Sequence, residues 1–223
     1  MKTSRFGKTE WLQLAVLLLP AIVLAAVWQR LPESVPMHWD FRGEVDRWGP
    51  RSTLLVLPVI SFGIWLLLLA TPWLDPSIRR DPERHERTLR FLRITGTAEV
   101  LLLALFSLLV ISAALGARFD IARIILSAVL VLLVIAGNFL PSVRTNYFIG
   151  IRTPWTLDNP KTWQATHRLG GRILFFGALL LLALQFVLPL SVLIIAFTLY
   201  VFAFALWCCA YSFSHSRRNQ QAA

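Results

Sequence analysis

The chain has 223 residues, 57% of them hydrophobic and only 15% charged, with a mean hydropathy of +0.64. A soluble domain of this length carries more charge and less apolar content, so the composition excludes an ordinary water-soluble core and implies an integral membrane protein. The formal net charge of +10 fits basic loops facing an anionic leaflet, and no direct contact with nucleic acid is expected.

Six apolar blocks are long enough to cross a bilayer, which takes about 20 residues per helix. They are Trp11–Trp28, Thr53–Trp73, Thr97–Ala117, Ile121–Leu140, Arg172–Leu190 and Ser191–Tyr211. The expected fold is therefore an all-α integral membrane protein, a six-transmembrane-helix bundle. The first block follows Lys2, Arg5 and Lys8 in the manner of a signal peptide. It is long for a signal core, however, and runs into Trp28, an interface residue, so it reads as a span.

Residues 31–51 read LPESVPMHWDFRGEVDRWGPR. Val35–Phe41 has strand-type residues and Arg42-Gly43-Glu44 is a turn, which predicts a short hairpin-like loop on the outer surface. His38 and Asp40, two apart on a strand, share a face. Glu33 or Asp46 could join them around a cation, but a single His is thin for zinc, and no metal is assigned. Trp39 and Trp48 either anchor the loop at the interface or belong to a binding surface. His38, Trp39, Asp40, Gly43, Asp46 and Trp48 are the outer-loop binding candidates.

Asp75–Arg93 mixes both signs of charge. From Pro82 it reads as a helix, with Asp81 as N-cap and Pro82 at the first helical position. This makes it an extension of the third span, with Leu89 and Leu92 along the membrane surface. Glu99 stands at the start of the third apolar block. It is either an interfacial anion in a first helical turn or a proton or cation site. Ala117–Asp120 turns the chain into the fourth helix, and Arg123 there snorkels outward. Asn138, near the end of that helix, is expected to hydrogen-bond to a neighbouring helix.

The segment NYFIGIRTPWTLDNPKTWQATHRLGG, residues 146–171, is dense in aromatic and basic groups between apolar runs. Pro154 disfavours helix at Thr153, so Ile151–Trp155 is expected to be extended. Asn159-Pro160 starts a helix that is expected to stop at Gly170-Gly171. The segment either lies in the interface, with Trp163 in lipid and the cations toward lipid phosphates, or makes a specific protein or ligand contact. Trp163 and His167, four apart, stack on one face. Pro189 separates the last two spans. Adjacent Cys208 and Cys209 read as small buried apolar residues. No nucleophile stands beside a base, and neither paired carboxylates nor a phosphate loop is present. The reading is a non-enzyme without cofactors.

Lys and Arg fix the expected orientation. With the N-terminus inside, the segments around Lys8, Arg79–Arg93, Arg144–Arg172 and Arg217–Arg218 are cytoplasmic. Only Arg30, Arg42, Arg47, Arg51, Arg118 and Arg123 lie outside, as the positive-inside rule requires. Both termini are then cytoplasmic. The expected organisation is an N-terminal two-helix unit over 1–73, a charged linker over 74–96 and a four-helix unit over 97–223. The motif loop, 141–172, is cytoplasmic.

The run NYFIGIRTPWTLDNPKTWQATHRLGGR closely resembles the signature of the SdpI family of bacterial membrane proteins. The loop at 31–51 resembles the short domain of unknown function that often precedes it. The resemblance implies an immunity and signalling protein of the bacterial cytoplasmic membrane. It would protect its cell from a secreted toxic peptide outside and draw an ArsR-type repressor to the membrane inside. It marks Asn146, Gly150, Arg152, Thr153, Pro154, Trp155, Trp163, His167 and Arg168 as the inner motif, for a partner or for structure. Membrane lipids are the remaining partners. The alternative is a small transporter or lipid-binding protein using Glu99, Asn138 and the basic loop.

Overall fold

The computed structural model describes residues 7–74, 82–147 and 149–221. The expected cap at Asp81 and the cations at Lys2, Arg5, Arg79 and Arg80 lie outside them, as do the side chains of Arg84 and Arg87. The long helices are α1 (Lys8–Val27), α2 (Val56–Leu74), α3 (Pro82–Ala114), α4 (Ile121–Phe139), α6 (Pro160–Leu184) and α7 (Leu190–Gln221); a short α5 (Pro154–Asp158) precedes α6. All six long helices are apolar and long enough to cross a membrane, so the fold is all-α. The one sheet described is the hairpin of β1 (Ser34–Trp39) and β2 (Val45–Pro50).

Contacts divide the chain into two compact units, Met1–Leu68 with Gly96–Val129, and Leu69–Thr95 with Leu130–Ala223. In the first, a core of Leu24, Leu31, Val35, Leu54, Val110, Ile111 and Ala114 joins α1, the hairpin and α3. Val35 is fully buried there and plants the hairpin; full burial of such a side chain is worth about 1.5–3 kcal/mol. Gly43 closes the hairpin turn at φ +85°, the left-handed region that a side chain disfavours. Arg51 N–H donates to the Glu33 carbonyl across the strands at 3.1 Å. Ser34 pairs with Pro50 and Pro36 with Trp48. By antiparallel alternation those prolines occupy non-bonded pairs, so neither costs the ladder a donor.

In the second unit, α6 packs with α7 and α4 through glycines. A Cβ on Gly171 would stand 2.8 Å from the Gly137 carbonyl oxygen of α4, and one on Gly170 3.3 Å from the Trp207 ring of α7. These contacts correct the expectation that Gly170-Gly171 ends the helix. The pair is interior to α6, because close approach of helices, rather than chain reversal, is what a residue without a side chain supplies here. The interfacial helix and the fifth span are one rod. The turn at Pro189 and the turn before Ile121 stand where expected. Arg123 reaches back to Asp120, Nε to Oδ2 at 3.2 Å.

Candidate functional site

The motif loop is a closed hydrogen-bond circuit in the second unit. Asn146 is 1% exposed. Its Nδ2 donates to the Arg144 and Ile149 carbonyls at 2.8 and 3.1 Å, and its Oδ1 accepts from Ile149 N–H at 2.7 Å. Gly150 follows at φ +106°. Ile151 N–H then donates to His167 Nε2 at 3.0 Å, and His167 Nδ1 donates to the Trp163 carbonyl at 2.9 Å. Each nitrogen has one role, which defines the Nδ1–H tautomer.

Thr153 and Thr156 cap α5 reciprocally. Thr156 N–H donates to Thr153 Oγ1 at 3.2 Å, and Thr153 N–H to Thr156 Oγ1 at 2.9 Å. Thr156 Oγ1 donates onward to the Ile151 carbonyl at 2.8 Å. Thr153 Oγ1 donates to Ser212 Oγ of α7 at 2.9 Å. Asn159 caps α6, accepting from Lys161 and Thr162 N–H. Trp163 is fully buried with Phe91 and Val143. Its Nε1–H donates to the Val143 carbonyl at 2.8 Å, and its ring stacks on His167 at 4.0 Å between centroids.

The motif residues therefore sort into two groups. Asn146, Thr153, Trp163 and His167 point inward and satisfy one another or the backbone. Arg152, Pro154 and Arg168 are exposed, with Arg152 Nη1 donating to the Tyr147 carbonyl at 2.7 Å. Trp155 is half-buried, edge-on to Phe213 at 5.0 Å. The expectation of an extended Trp155 is corrected, since Pro154 opens α5 and Trp155 lies within it. The expectation of Trp163 at a lipid interface is corrected too, because the protein itself encloses it. Thr156, Thr162, Thr166 and Ser212, all buried, were not among the sequence candidates. The Thr153-Pro154-Trp155-Thr156 spacing is a capping-box signal that marks one of them, Thr156.

In the first unit, His38 Nδ1 meets Asp46 Oδ1 at 2.6 Å, with both side chains about half exposed. Asp40 does not join them. Its Oδ1 accepts from Arg42 and Glu44 N–H at 2.8 and 3.0 Å, so it builds the turn that Gly43 completes. Those amides, that of Glu44 foremost, hold the Asp40 carboxyl below the usual carboxylate range. Among the described residues no group of three or more His, Cys, Asp or Glu could hold a metal ion. Trp39 packs against the core, whereas Trp48 is 60% exposed, as are Phe41 and Met37 in part.

Below the hairpin, Gln13 ties three helices. Its Nε2 donates to Thr97 Oγ1 at 2.9 Å and its Oε1 accepts from Trp65 Nε1 at 3.1 Å. Gln13 is 5% exposed and was not among the sequence candidates, although a lone amide in an apolar run is itself a sign of helix association. Glu99, two residues beyond Thr97, is half-buried on α3. Asn138 is exposed on α4 and makes no hydrogen bond among the described residues, so the expected helix–helix bond is corrected.

Known proteins match the same two regions. Residues 15–62 match a domain of unknown function, DUF1648, and residues 142–212 match the SdpI/YfhL protein family. The first covers most of α1 and the hairpin; the second runs from the motif loop to Ser212. The chain is 25% identical over 179 residues to the immunity protein SdpI of Bacillus subtilis strain 168, covering 80% of this chain and 82% of that one. It is 38% identical over 77 residues to an uncharacterized protein of Archaeoglobus fulgidus, covering 31% and 42%. No solved structure matches. With both regions in order and a relative alike over most of its length, this multi-pass membrane protein carries an SdpI/YfhL-family region at residues 142–212 and is similar to the SdpI immunity protein along most of its chain.

Proposed function

We propose that the protein is a non-enzymatic immunity protein of the cytoplasmic membrane that receives a secreted toxic peptide at its hairpin. The observation that carries this reading is the hairpin itself, planted through Val35 while Trp48 and Phe41 stay exposed. Exposed aromatics on a fixed scaffold are the usual anchors of recognition. The likeness to an immunity protein supports the same reading. The orientation proposed puts both termini and the motif loop in the cytoplasm, as the placement of Lys and Arg favours. There the exposed Arg152 and Pro154 would meet an ArsR-type repressor, while the buried motif residues keep the loop's shape. A ligand transmits such a signal only if it favours one of two arrangements.

The test is survival of a sensitive host challenged with envelope-active peptides. Wild type is expected to protect, and W48A/F41A to lose protection at equal membrane abundance. No protection by wild type across a broad panel would sink the immunity reading. For orientation, E44C is expected to react with an impermeant thiol reagent in intact cells and K161C not to, both lacking Cys208 and Cys209. The transporter alternative draws on Glu99, which makes no ion pair among the described residues. It requires a proteoliposome flux that E99Q abolishes, and an absent flux would dismiss it.

A further inference from the structure

The face of α6 turned away from its neighbours carries charge in an order that the folding of the loop does not use. α7 packs on the side of Gly170 and Gly177, and α4 on that of Gly171. The remaining stripe carries Arg168, Arg172, Phe176 and Leu179, spaced three or four apart and so aligned along the helix. All four are exposed, Phe176 at 64% and Leu179 at 43%.

Two features single out this stripe. First, Arg168 and Arg172 stand four apart with like charge, an arrangement that disfavours a helix unless an anion intervenes. Neither makes a hydrogen bond or ion pair among the described residues, whereas Arg152 donates to a carbonyl and Arg217 lies 4.9 Å from the Phe213 ring centre. Second, Arg172 immediately precedes the apolar run that starts at Ile173. Arg168 lies about 6 Å further along the axis, so both fall within the headgroup layer, and Phe176 and Leu179 fall in the hydrocarbon.

We propose that this stripe is a binding site for an anionic phospholipid. The two guanidinium groups take the headgroup phosphate, a pairing their planar donors suit. One acyl chain lies along Phe176 and Leu179. The charge of the arginines and the continuity of charged with apolar surface select a bilayer lipid over a free phosphate, which would leave the lower half of the stripe without a role. The site does not depend on the immunity reading.

The test uses the full chain in nanodiscs of phosphatidylcholine containing a minority of phosphatidylglycerol, followed by mild delipidation and native mass spectrometry of the lipids retained. Wild type is expected to keep phosphatidylglycerol in preference. That preference is expected to fall roughly fivefold for each arginine removed in R168Q, R172Q and the double variant. K161Q, exposed on the same helix but about 16 Å from Arg172, is expected to keep it. Equal retention of the two lipids by wild type overturns the site, as does a double variant with wild-type preference. If the double variant does not fold, R172Q and the wild-type comparison decide by the same criteria. Unchanged lipid preference with weakened capture of a cytoplasmic protein assigns the arginines to that protein and overturns the proposal.

Discussion

Gly150 lies against the edge of the His167 ring, and its φ of +106° turns the chain so that Ile151 N–H reaches His167 Nε2 at 3.0 Å. A methyl group at 150 would collide with that ring and strain the backbone as well. G150A is therefore expected to lose about 2–4 kcal/mol, the sum of left-handed strain and overpacking. Gly116 has φ +92° but nothing near its missing Cβ, so G116A is expected to lose only the strain, about 1–2 kcal/mol. Thermal unfolding in detergent compares the two, and equal losses would refute the ring contact.

Trp163 separates packing from hydrogen bonding. W163F keeps most of the buried area and the stacking partner but leaves the buried Val143 carbonyl without its donor. It is expected to cost about 1–3 kcal/mol. W163A, which also opens a cavity, is expected to cost about 3–5 kcal/mol. Chemical denaturation of the two variants gives the order, and a W163F as damaging as W163A would rule out this division.

The glycines of α6 are tested by enlargement. G171A drives a Cβ to 2.8 Å from the Gly137 carbonyl and 2.9 Å from Pro141 Cδ, and about 1–3 kcal/mol of destabilisation is expected. G63A on α2 meets nothing within 4 Å and is expected to be neutral or slightly stabilising. Melting temperatures in one detergent decide, and a harmless G171A would mean that the helices separate freely.

Asp40 gives the hairpin a pH limit. Its folded pKa is lowered by the Glu44 and Arg42 amides. Its contribution is thus whole above the ordinary Asp value of about 3.9 and is lost as pH falls through the lower folded value. NMR of the Arg42 and Glu44 amides should show the turn intact at pH 5 and opening only beneath about pH 4. Opening at pH 5 would contradict it. D40N, which keeps an acceptor oxygen, is expected to disturb those amides less than D40A.

Gln13 is the fifth test. Q13L leaves Trp65 Nε1–H and Thr97 without their shared partner at membrane depth, and a loss of about 1–2 kcal/mol is expected. Unchanged stability in unfolding from mixed micelles would show the amide to be dispensable.

The spans were legible because crossing a bilayer demands long apolar runs, and no tertiary context changes that demand. The hairpin was legible from strand-type residues around Arg42-Gly43-Glu44, and the start of α6 from Asn159-Pro160. Gly170-Gly171 was not, because glycine serves both helix ends and close helix packing, and only the neighbours Gly137 and Trp207 tell which. The inner motif's aromatic and basic residues stood out in the sequence, but their direction did not. Trp163 and His167 are drawn inward by acceptors and donors distant in sequence, Val143 and Ile151, while Arg168 is left outside. Asn138 failed for the converse reason, since polarity near a helix end does not supply a partner.

Pro36 and Pro50 set a limit on what the hairpin can become. Each sits where its missing N–H would have pointed away from the partner strand, so both outer borders of the two-stranded ribbon are short of a donor. A third strand, from a peptide or from a neighbouring copy in a crowded bilayer, finds an interrupted template on either border. The ribbon is thereby kept from growing into a larger sheet or zipping copies together. Whatever it recognises must be selected by the side chains it displays and not by its backbone.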